Sequence, residues 1–183
     1  LAVGTIGLAM FFYAIHQVGL TSWVPYFLEE TRGAGANSAS FGLSAYWVGI
    51  IVGRFLVSRI VDRFGTAPIL ITGCIASAGA TLGAVLVTPV LPAQGLLILA
   101  GITSGATIPL AYSFGFTFLP ERTGGVTALI ALVMLLGRVL GPWSIGVVGD
   151  RSGLIAAMTI PAGALLFSAL LVGIVYAVGR KPA

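Results

Sequence analysis

Six long apolar runs divide this chain, and short polar or helix-breaking stretches separate them. The runs cover about residues 1–28, 40–60, 67–88, 94–118, 125–148 and 154–179. A helix needs about 20 predominantly apolar residues to cross a bilayer, so each run predicts one membrane-spanning helix. The runs are continuously apolar rather than alternating with polar residues, which disfavours membrane-spanning strands. The sequence therefore predicts an all-α membrane protein, a single bundle of six transmembrane helices over residues 1–183.

Composition makes the bilayer the expected solvent. Of the 183 residues, 58% are hydrophobic and 8% are charged, whereas a soluble domain carries about 25% charged residues. The nine basic residues are scattered along the chain, so no patch for nucleic acid is expected. Cys74 is the only cysteine, and it allows neither a disulfide within the chain nor a cysteine metal site. We expect lipid as a partner, and neither nucleic acid nor metal.

The loop charges predict how the bundle lies in the membrane. One side carries five basic residues, namely Arg59, Arg63, Arg122, Arg180 and Lys181. The other side carries two, Arg32 and Arg151. Because basic residues are enriched in cytoplasmic loops, we expect both ends of the segment in the cytoplasm and the bundle in the plasma (inner) membrane. The chain opens at Leu1, already inside an apolar run, so we also expect the C-terminal part of a longer protein.

Two related phrases form a weak internal repeat. They are GIIVGRFLVSRIVDRFG at 49–65 and GRVLGPWSIGVVGDRSG at 137–153. Each places Gly-Arg within an apolar helix and Asp-Arg-x-Gly at its end, although the spacing between the two differs. Weak internal symmetry in a very apolar chain is typical of secondary transporters.

Catalytic chemistry finds no support in the sequence. The five acidic residues all fall at the ends of apolar runs, and there is one histidine. The chain contains no H-E-x-x-H, G-x-S-x-G or phosphate-binding loop. We therefore expect a protein that is not an enzyme and that uses no cofactor.

Four segments carry a resemblance to a known family. The turn SRIVDRFGTA (58–67) resembles the signature G-x-x-x-D-[RK]-x-G-[RK]-[RK], with Ser58 at the first glycine and Thr66-Ala67 at the closing basic pair. The segment GRVLGP (137–142) is similar to a G-x-x-x-G-P signature, and two more matches are PERTGGVTA (120–128) and GVVGDRSG (146–153). Together they resemble the C-terminal six-helix half of a major facilitator superfamily transporter.

A narrower likeness is to the fucose and glucose/galactose permease-like branch of that family. YAIHQVGLTSW (13–23) is close to Y-x-G-x-E-x-G-x-x-x-W, and AYWVGIIVGR (45–54) is close to W-x-G-x-x-x-G-R. Gln17 stands where the branch commonly has an acid.

The resemblance implies a fold and a function. The six helices would form two inverted three-helix repeats, half of a major facilitator fold. Paired with an N-terminal six-helix half, they would move a small polar solute by alternating access, with a sugar as one candidate. Two alternatives remain open: a non-transporting receptor or structural bundle on the same fold, and a half-size carrier that pairs with a second copy of itself.

Six residues are candidates for contact with the solute. Tyr13, His16 and Gln17 share one face of the first helix, which in this family lines the central cavity together with the fourth. The alternative is that His16 and Gln17 hydrogen-bond to neighbouring helices. Arg138 lies near the middle of the fifth helix, where no acid of this chain can pair with it. It must then face water, solute, backbone carbonyls or an acid of the other half. The remaining candidates are Trp47, whose ring could stack on a sugar, and Thr107 in the fourth helix.

Seven residues are candidates for a conformational or gating role. Arg54 and Asp62 lie eight residues apart on one helical face, which permits an Arg-to-Asp ladder, with snorkelling of Arg54 as the alternative. Asp62 resembles the signature acid, whose implied role is to bind a helix N-terminus and lock a gating state; simple capping of the turn is the alternative. The set also includes Arg63, Gly65, Gly141, Pro142 and Asp150. Pro142 is expected to kink or loosen the fifth helix.

Overall fold

The computed structural model of the chain describes residues 1–179, and within them every regular element is a helix. The elements are α1 (Ala2–Arg32), α2 (Ala36–Phe64), α3 (Thr66–Leu86), α4 (Val90–Ser104), α5 (Thr107–Phe116), a 3₁₀ turn (Pro120–Arg122), α6 (Thr123–Ser152), α7 (Leu154–Ala157) and α8 (Ile160–Gly179). They form six spans long and apolar enough to cross a bilayer, with α4–α5 as the fourth and α7–α8 as the sixth. The all-α membrane fold is confirmed. Arg180 and Lys181, used above for orientation, lie outside the described residues.

The packing of the spans follows a twofold pattern. The first span packs mainly on the fifth and sixth, and the fourth packs mainly on the second and third. The third and sixth spans pack on each other. Spans 1–3 therefore correspond to spans 4–6, and because each repeat has three spans, the second repeat crosses the membrane in the opposite sense. This is the inverted pair of three-helix repeats that the resemblance implied.

Glycines bring α2 and α4 into backbone contact. A Cβ atom on Gly53 would collide with the carbonyl of Ile102, and one on Gly49 would meet the carbonyl of Ile98. On the opposing helix, a Cβ on Gly101 would collide with the carbonyl of Tyr46. Small residues four apart permit such close approach in lipid, so this interface accepts no side chain at these positions. We call it the α2–α4 glycine interface.

The second copy of the repeated phrase makes the equivalent contact on α1. A Cβ on Gly137 of α6 would collide with the carbonyl of Phe11, and one on Gly141 would lie 2.8 Å from the carbonyl oxygen of Ile15. Helix packing against α1 therefore also explains a glycine at position 141, which we expected to act in gating. The internal repeat in the sequence corresponds to a repeated helix–helix interface.

The repeated Asp-Arg-x-Gly turns also share one backbone conformation. Gly65 ends α2 with φ 81° and ψ 157°, and Gly153 ends α6 with φ 86° and ψ 154°. A positive φ is strained for residues other than glycine. Each glycine also precedes the next helix directly, so the turn fixes how the second and fifth spans lead into the third and sixth.

Prolines mark the two interrupted spans. The fourth span breaks at residues 105–106 ahead of Pro109, and the sixth breaks at 158–159 ahead of Pro161. Proline has no N–H with which to bond the carbonyl four residues earlier. By contrast, α1 continues through Pro25 and α6 continues through Pro142.

Candidate functional site

Four polar side chains from three spans meet beside the break in the fourth span. The hydroxyl of Tyr46 lies 3.2 Å from Nε2 of His16 and 3.4 Å from Oγ of Ser104. The hydroxyl of Tyr13 donates to the carbonyl oxygen of Ser104 at 3.4 Å. We call Tyr13, His16, Tyr46 and Ser104 the interior polar cluster. It links α1 and α2 to the last residue of α4.

The interior polar cluster is enclosed by the bundle. Tyr13 is 1% exposed, and His16, Tyr46 and Ser104 are each 0% exposed. Within the described residues, Nδ1 of His16 has no hydrogen-bond partner. Buried polar groups in a bilayer need hydrogen-bond partners within the protein. The hydrogen bonds of the interior polar cluster provide such partners and thereby join α1, α2 and α4.

The six predicted solute contacts fall into two groups. Tyr13, His16, Gln17 and Thr107 are buried. Trp47 is 44% exposed and packs edge-on against Tyr46 at 6.1 Å. The exposed Arg138 lines a cleft of about 100 Å³ between α6 and Tyr112 of α5. Of the six, only Trp47 and Arg138 are exposed on the surface of this bundle.

Arg54 contacts the fourth span. Its Nε donates to the carbonyl oxygen of Gly105 at 3.1 Å, so the guanidinium is bonded to the break in that span rather than to Asp62. This is the polar partner that a membrane-depth arginine requires.

The other predicted gating residues lie at the ends of α2 and α6. Asp62 and Arg63 are exposed, and the guanidinium of Arg63 lies 5.4 Å from the centre of the Phe64 ring. Asp150 is exposed at the end of α6. Asp62 and Asp150 therefore remain accessible to a partner outside this bundle.

A cavity that the sequence did not predict opens between the ends of α1 and α6. Its volume is about 540 Å³, and its polar and aromatic walls are Trp23, Tyr26, Glu30 and Asp150. The indole N–H of Trp23 donates to the carbonyl oxygen of Pro142 at 3.0 Å. Trp23, Tyr26 and Glu30 stand at i, i+3 and i+7 of α1, a spacing that marked one helical face. The sequence alone gave no sign that α6 would complete the wall.

No site role was predicted for Ser104 or Gly105. The available signal was the small-residue stretch SGAT (104–107) followed within two residues by Pro109. Small residues ahead of a proline indicate a place where a helix can open. Nothing in the sequence indicated which side chains would meet the freed carbonyls.

Six apolar spans in two inverted repeats, with polar side chains gathered at an interrupted span, define half of a membrane transporter fold. The chain belongs to the Major Facilitator Superfamily, which it matches over residues 6–183. This is a family of transporters, and the sequence resemblance is confirmed.

Similar proteins include carriers of different named solutes. The chain is 26% identical to the multidrug transporter protein MdtP of Bacillus subtilis, over 93% of this chain and 34% of that protein. It is 26% identical to a putative glucose/galactose transporter of Helicobacter pylori, over 84% of this chain and 39% of that protein. The fold superimposes on the E. coli fucose:proton symporter FucP with a TM-score of 0.85, at 22% identity, over 96% of this chain and 43% of that one. The chain thus spans less than half the length of these relatives.

Proposed function

We propose that this chain is the C-terminal half of a secondary active transporter that moves a small polar solute by alternating access. The observation that carries the proposal is Arg138, an exposed guanidinium on the membrane-spanning part of α6. A charge at the bilayer centre costs about 2.5–3.5 kcal/mol on insertion scales. This face of α6 is therefore expected to line a hydrated cavity rather than lipid.

The uncovered surfaces of α2 and α6 support a second half as the partner. Large apolar side chains on these helices are exposed, among them Ile51, Phe55, Leu132 and Val139. In the proposed carrier, an N-terminal six-helix half covers part of these surfaces and encloses the solute between the two halves. A homodimer of half-size carriers and a non-transporting bundle are the competing arrangements, and no observation favours either.

A sugar is the solute we propose first. The similarity to a putative glucose/galactose transporter and the fold likeness to a fucose:proton symporter support it. The exposed ring of Trp47 suits stacking on the apolar face of a pyranose. The similarity to a multidrug transporter makes drug molecules the competing class. Tyr13, His16, Gln17 and Thr107 complete the proposed solute contacts, reached when the region around the break opens.

The test of this function is uptake by the full-length protein in liposomes. We expect labelled hexoses to accumulate when a proton or sodium gradient is imposed, and excess unlabelled hexose to compete. Substituting Trp47→Ala should raise the KM for the sugar. Gradient-driven movement of a labelled drug without hexose uptake would move the assignment to the multidrug class. If neither solute class moves under any gradient, the carrier function is wrong for the solutes tested.

The orientation proposed from the loop charges gives a topology prediction. Single cysteines at Thr66 and Thr123 should react with an impermeant maleimide only from the cytoplasmic side. A cysteine at Asn37 should react only from outside. Thr66 and Thr123 are the first residues of α3 and α6, and Asn37 lies in the first turn of α2. Reaction of Asn37 and Thr66 from the same side would contradict the six-span arrangement.

A second prediction concerns the gating role proposed for Asp62. Asp62→Asn keeps the side-chain size and removes the charge that would hold a helix N-terminus of the other half. We expect normal membrane insertion and uptake slowed by roughly tenfold, since a charge at a helix terminus contributes up to about 2 kcal/mol. The matched control is Glu121→Gln in the exposed 3₁₀ turn, which should transport normally. Normal uptake by Asp62→Asn would leave turn capping as its only role.

A further inference from the structure

The break in the fourth span frees a backbone carbonyl inside the membrane. Pro109 has no N–H, so the carbonyl of Gly105, four residues earlier, has no helical donor. An unsatisfied carbonyl in the hydrocarbon region is costly. Arg54 of α2 supplies the donor, with Nε 3.1 Å from the Gly105 oxygen. The neighbouring carbonyl of Ser104 accepts from Tyr13 of α1 at 3.4 Å.

The two sides of the break are held differently. Before the break, α4 is joined to α2 by the α2–α4 glycine interface, in which backbone meets backbone. After it, α5 packs chiefly against α3 and over smaller areas against α1 and α6. The close backbone contact between α2 and the fourth span therefore ends at the break. Arg54 makes the last polar link between them.

We propose that Arg54 is a positioning residue for transport, which sets the angle of α5 to α4 by holding the Gly105 carbonyl. The interface keeps α2 and α4 as one unit, and α5 turns about residues 104–106 when the guanidinium releases the carbonyl. Such a turn would uncover Thr107 and the interior polar cluster, which are enclosed in the present conformation. The proposal rests on the carrier function proposed above.

The first test measures the angle of α5 directly in the full-length carrier. Spin labels at Ser58 of α2 and Ser113 of α5, both exposed, report the distance across the break by pulsed electron resonance. Arg54→Met keeps the length and removes the donors, and we expect it to broaden this distance distribution. Arg54→Lys keeps a donor and should therefore broaden the distribution less than Arg54→Met does. An unchanged distribution in Arg54→Met would overturn the proposal.

Two controls test whether the broadening is confined to the break. Arg59→Met removes an exposed arginine five residues further along α2, which stacks on Phe55 at 4.4 Å, and should leave the distance unchanged. Labels at Ser44 of α2 and Leu99 of α4 span the glycine interface and should report the same distance in every variant. Broadening at this second pair would mean that Arg54 holds the whole bundle, which would also overturn the proposal.

Pro109→Ala tests whether the missing N–H of Pro109 is what leaves the Gly105 carbonyl available to Arg54. Alanine restores an N–H that can donate to Gly105, so we expect a narrower Ser58–Ser113 distribution than in the native carrier. Adding Pro109→Ala to Arg54→Met should reverse the broadening. If the double variant stays as broad as Arg54→Met, Arg54 does not act through this carbonyl. If Arg54→Met yields no folded carrier, Pro109→Ala decides alone, and an unchanged distribution contradicts the proposal.

Transport supplies the functional readout. In Arg54→Met we expect the maximum uptake rate to fall about tenfold, the size of effect that an unmet buried hydrogen bond produces, with KM changed less than about twofold. A rise in KM at unchanged rate would make Arg54 a solute contact and overturn the positioning role. Absence of uptake by the unsubstituted carrier would count against the proposed function alone, because the distance measurements need no solute.

Discussion

Gly101→Val is expected to abolish the folded bundle. A Cβ at this position collides with the Tyr46 carbonyl and lies 3.0 Å from Cα of Gly49 and from the backbone nitrogen of Ile50. All three obstacles are backbone atoms of α2, so no side-chain rotation relieves them. The two helices would have to separate along their contact. Overpacking of a core typically costs 1–3 kcal/mol, and a rigid backbone interface should cost at least about 3 kcal/mol.

The matched control lies on the same helix. Gly95→Val adds the same side chain to α4 at an exposed position where a Cβ meets nothing within 4 Å. The yield of monodisperse protein in detergent and its thermal midpoint compare the two variants. We expect Gly95→Val to behave as the native protein and Gly101→Val to aggregate. Equal stability of the two variants would show that α2 and α4 do not depend on this contact.

Arg138→Leu is expected to reduce uptake by roughly 10- to 100-fold without destabilising the protein. Removing a charge from the membrane-spanning part of α6 lowers the cost of insertion by about 2.5–3.5 kcal/mol on translocon scales. Losing a charge-assisted hydrogen bond to the solute should weaken transport by roughly 10- to 100-fold. Stability and function should therefore change in opposite directions.

The thermal midpoint and the uptake rate of one purified sample measure both effects. Arg138→Lys should keep part of the transport, because the charge remains while the planar guanidinium is lost. Arg122→Gln, in the exposed 3₁₀ turn, is the control and should transport normally. A fall in thermal midpoint with retained uptake would instead identify Arg138 as the partner of an acid in the other half.

The repeated Gly-Arg phrases combine packing and polar functions. Gly53 and Gly137 each lie against the backbone of the neighbouring span, and an arginine follows each glycine. Arg54 donates to the Gly105 carbonyl, whereas Arg138 lines a cleft beside Tyr112. The same Gly-Arg pattern therefore places its arginine in a hydrogen bond to the fourth span in one repeat and beside a cleft in the other.

The all-α fold with six apolar spans and the interhelical glycines could be predicted from the sequence because these depend on local properties. Hydropathy over about 20 residues sets whether a segment enters the bilayer. Glycines at a spacing of four, as in 49–53 and 137–141, indicate that another backbone can approach. The turn at Gly65 follows likewise from residues adjacent in the chain. The family signatures could also be recognised from the sequence, because each is a short contiguous segment.

Which polar groups meet was decided only by the tertiary structure. The spacing of Tyr13, His16 and Gln17 places them on one helical face, but the rotation of α1 about its axis sets what that face contacts. The fit of Gly137 and Gly141 against α1 helps to fix that rotation. Tyr13 and His16 are consequently enclosed in the bundle rather than exposed in a cavity.

The hydrogen-bond partner of Arg54 likewise could not be predicted from the sequence. Sequence spacing suggested Asp62, eight residues away, because only neighbours along one helix can be compared without a fold. The structure instead joins Arg54 to a carbonyl 51 residues distant, which is free because Pro109 lacks an N–H. The proline and the small residues before it determined that a carbonyl would be free in the fourth span. Only the packing of α2 on α4 determined that an arginine would satisfy it.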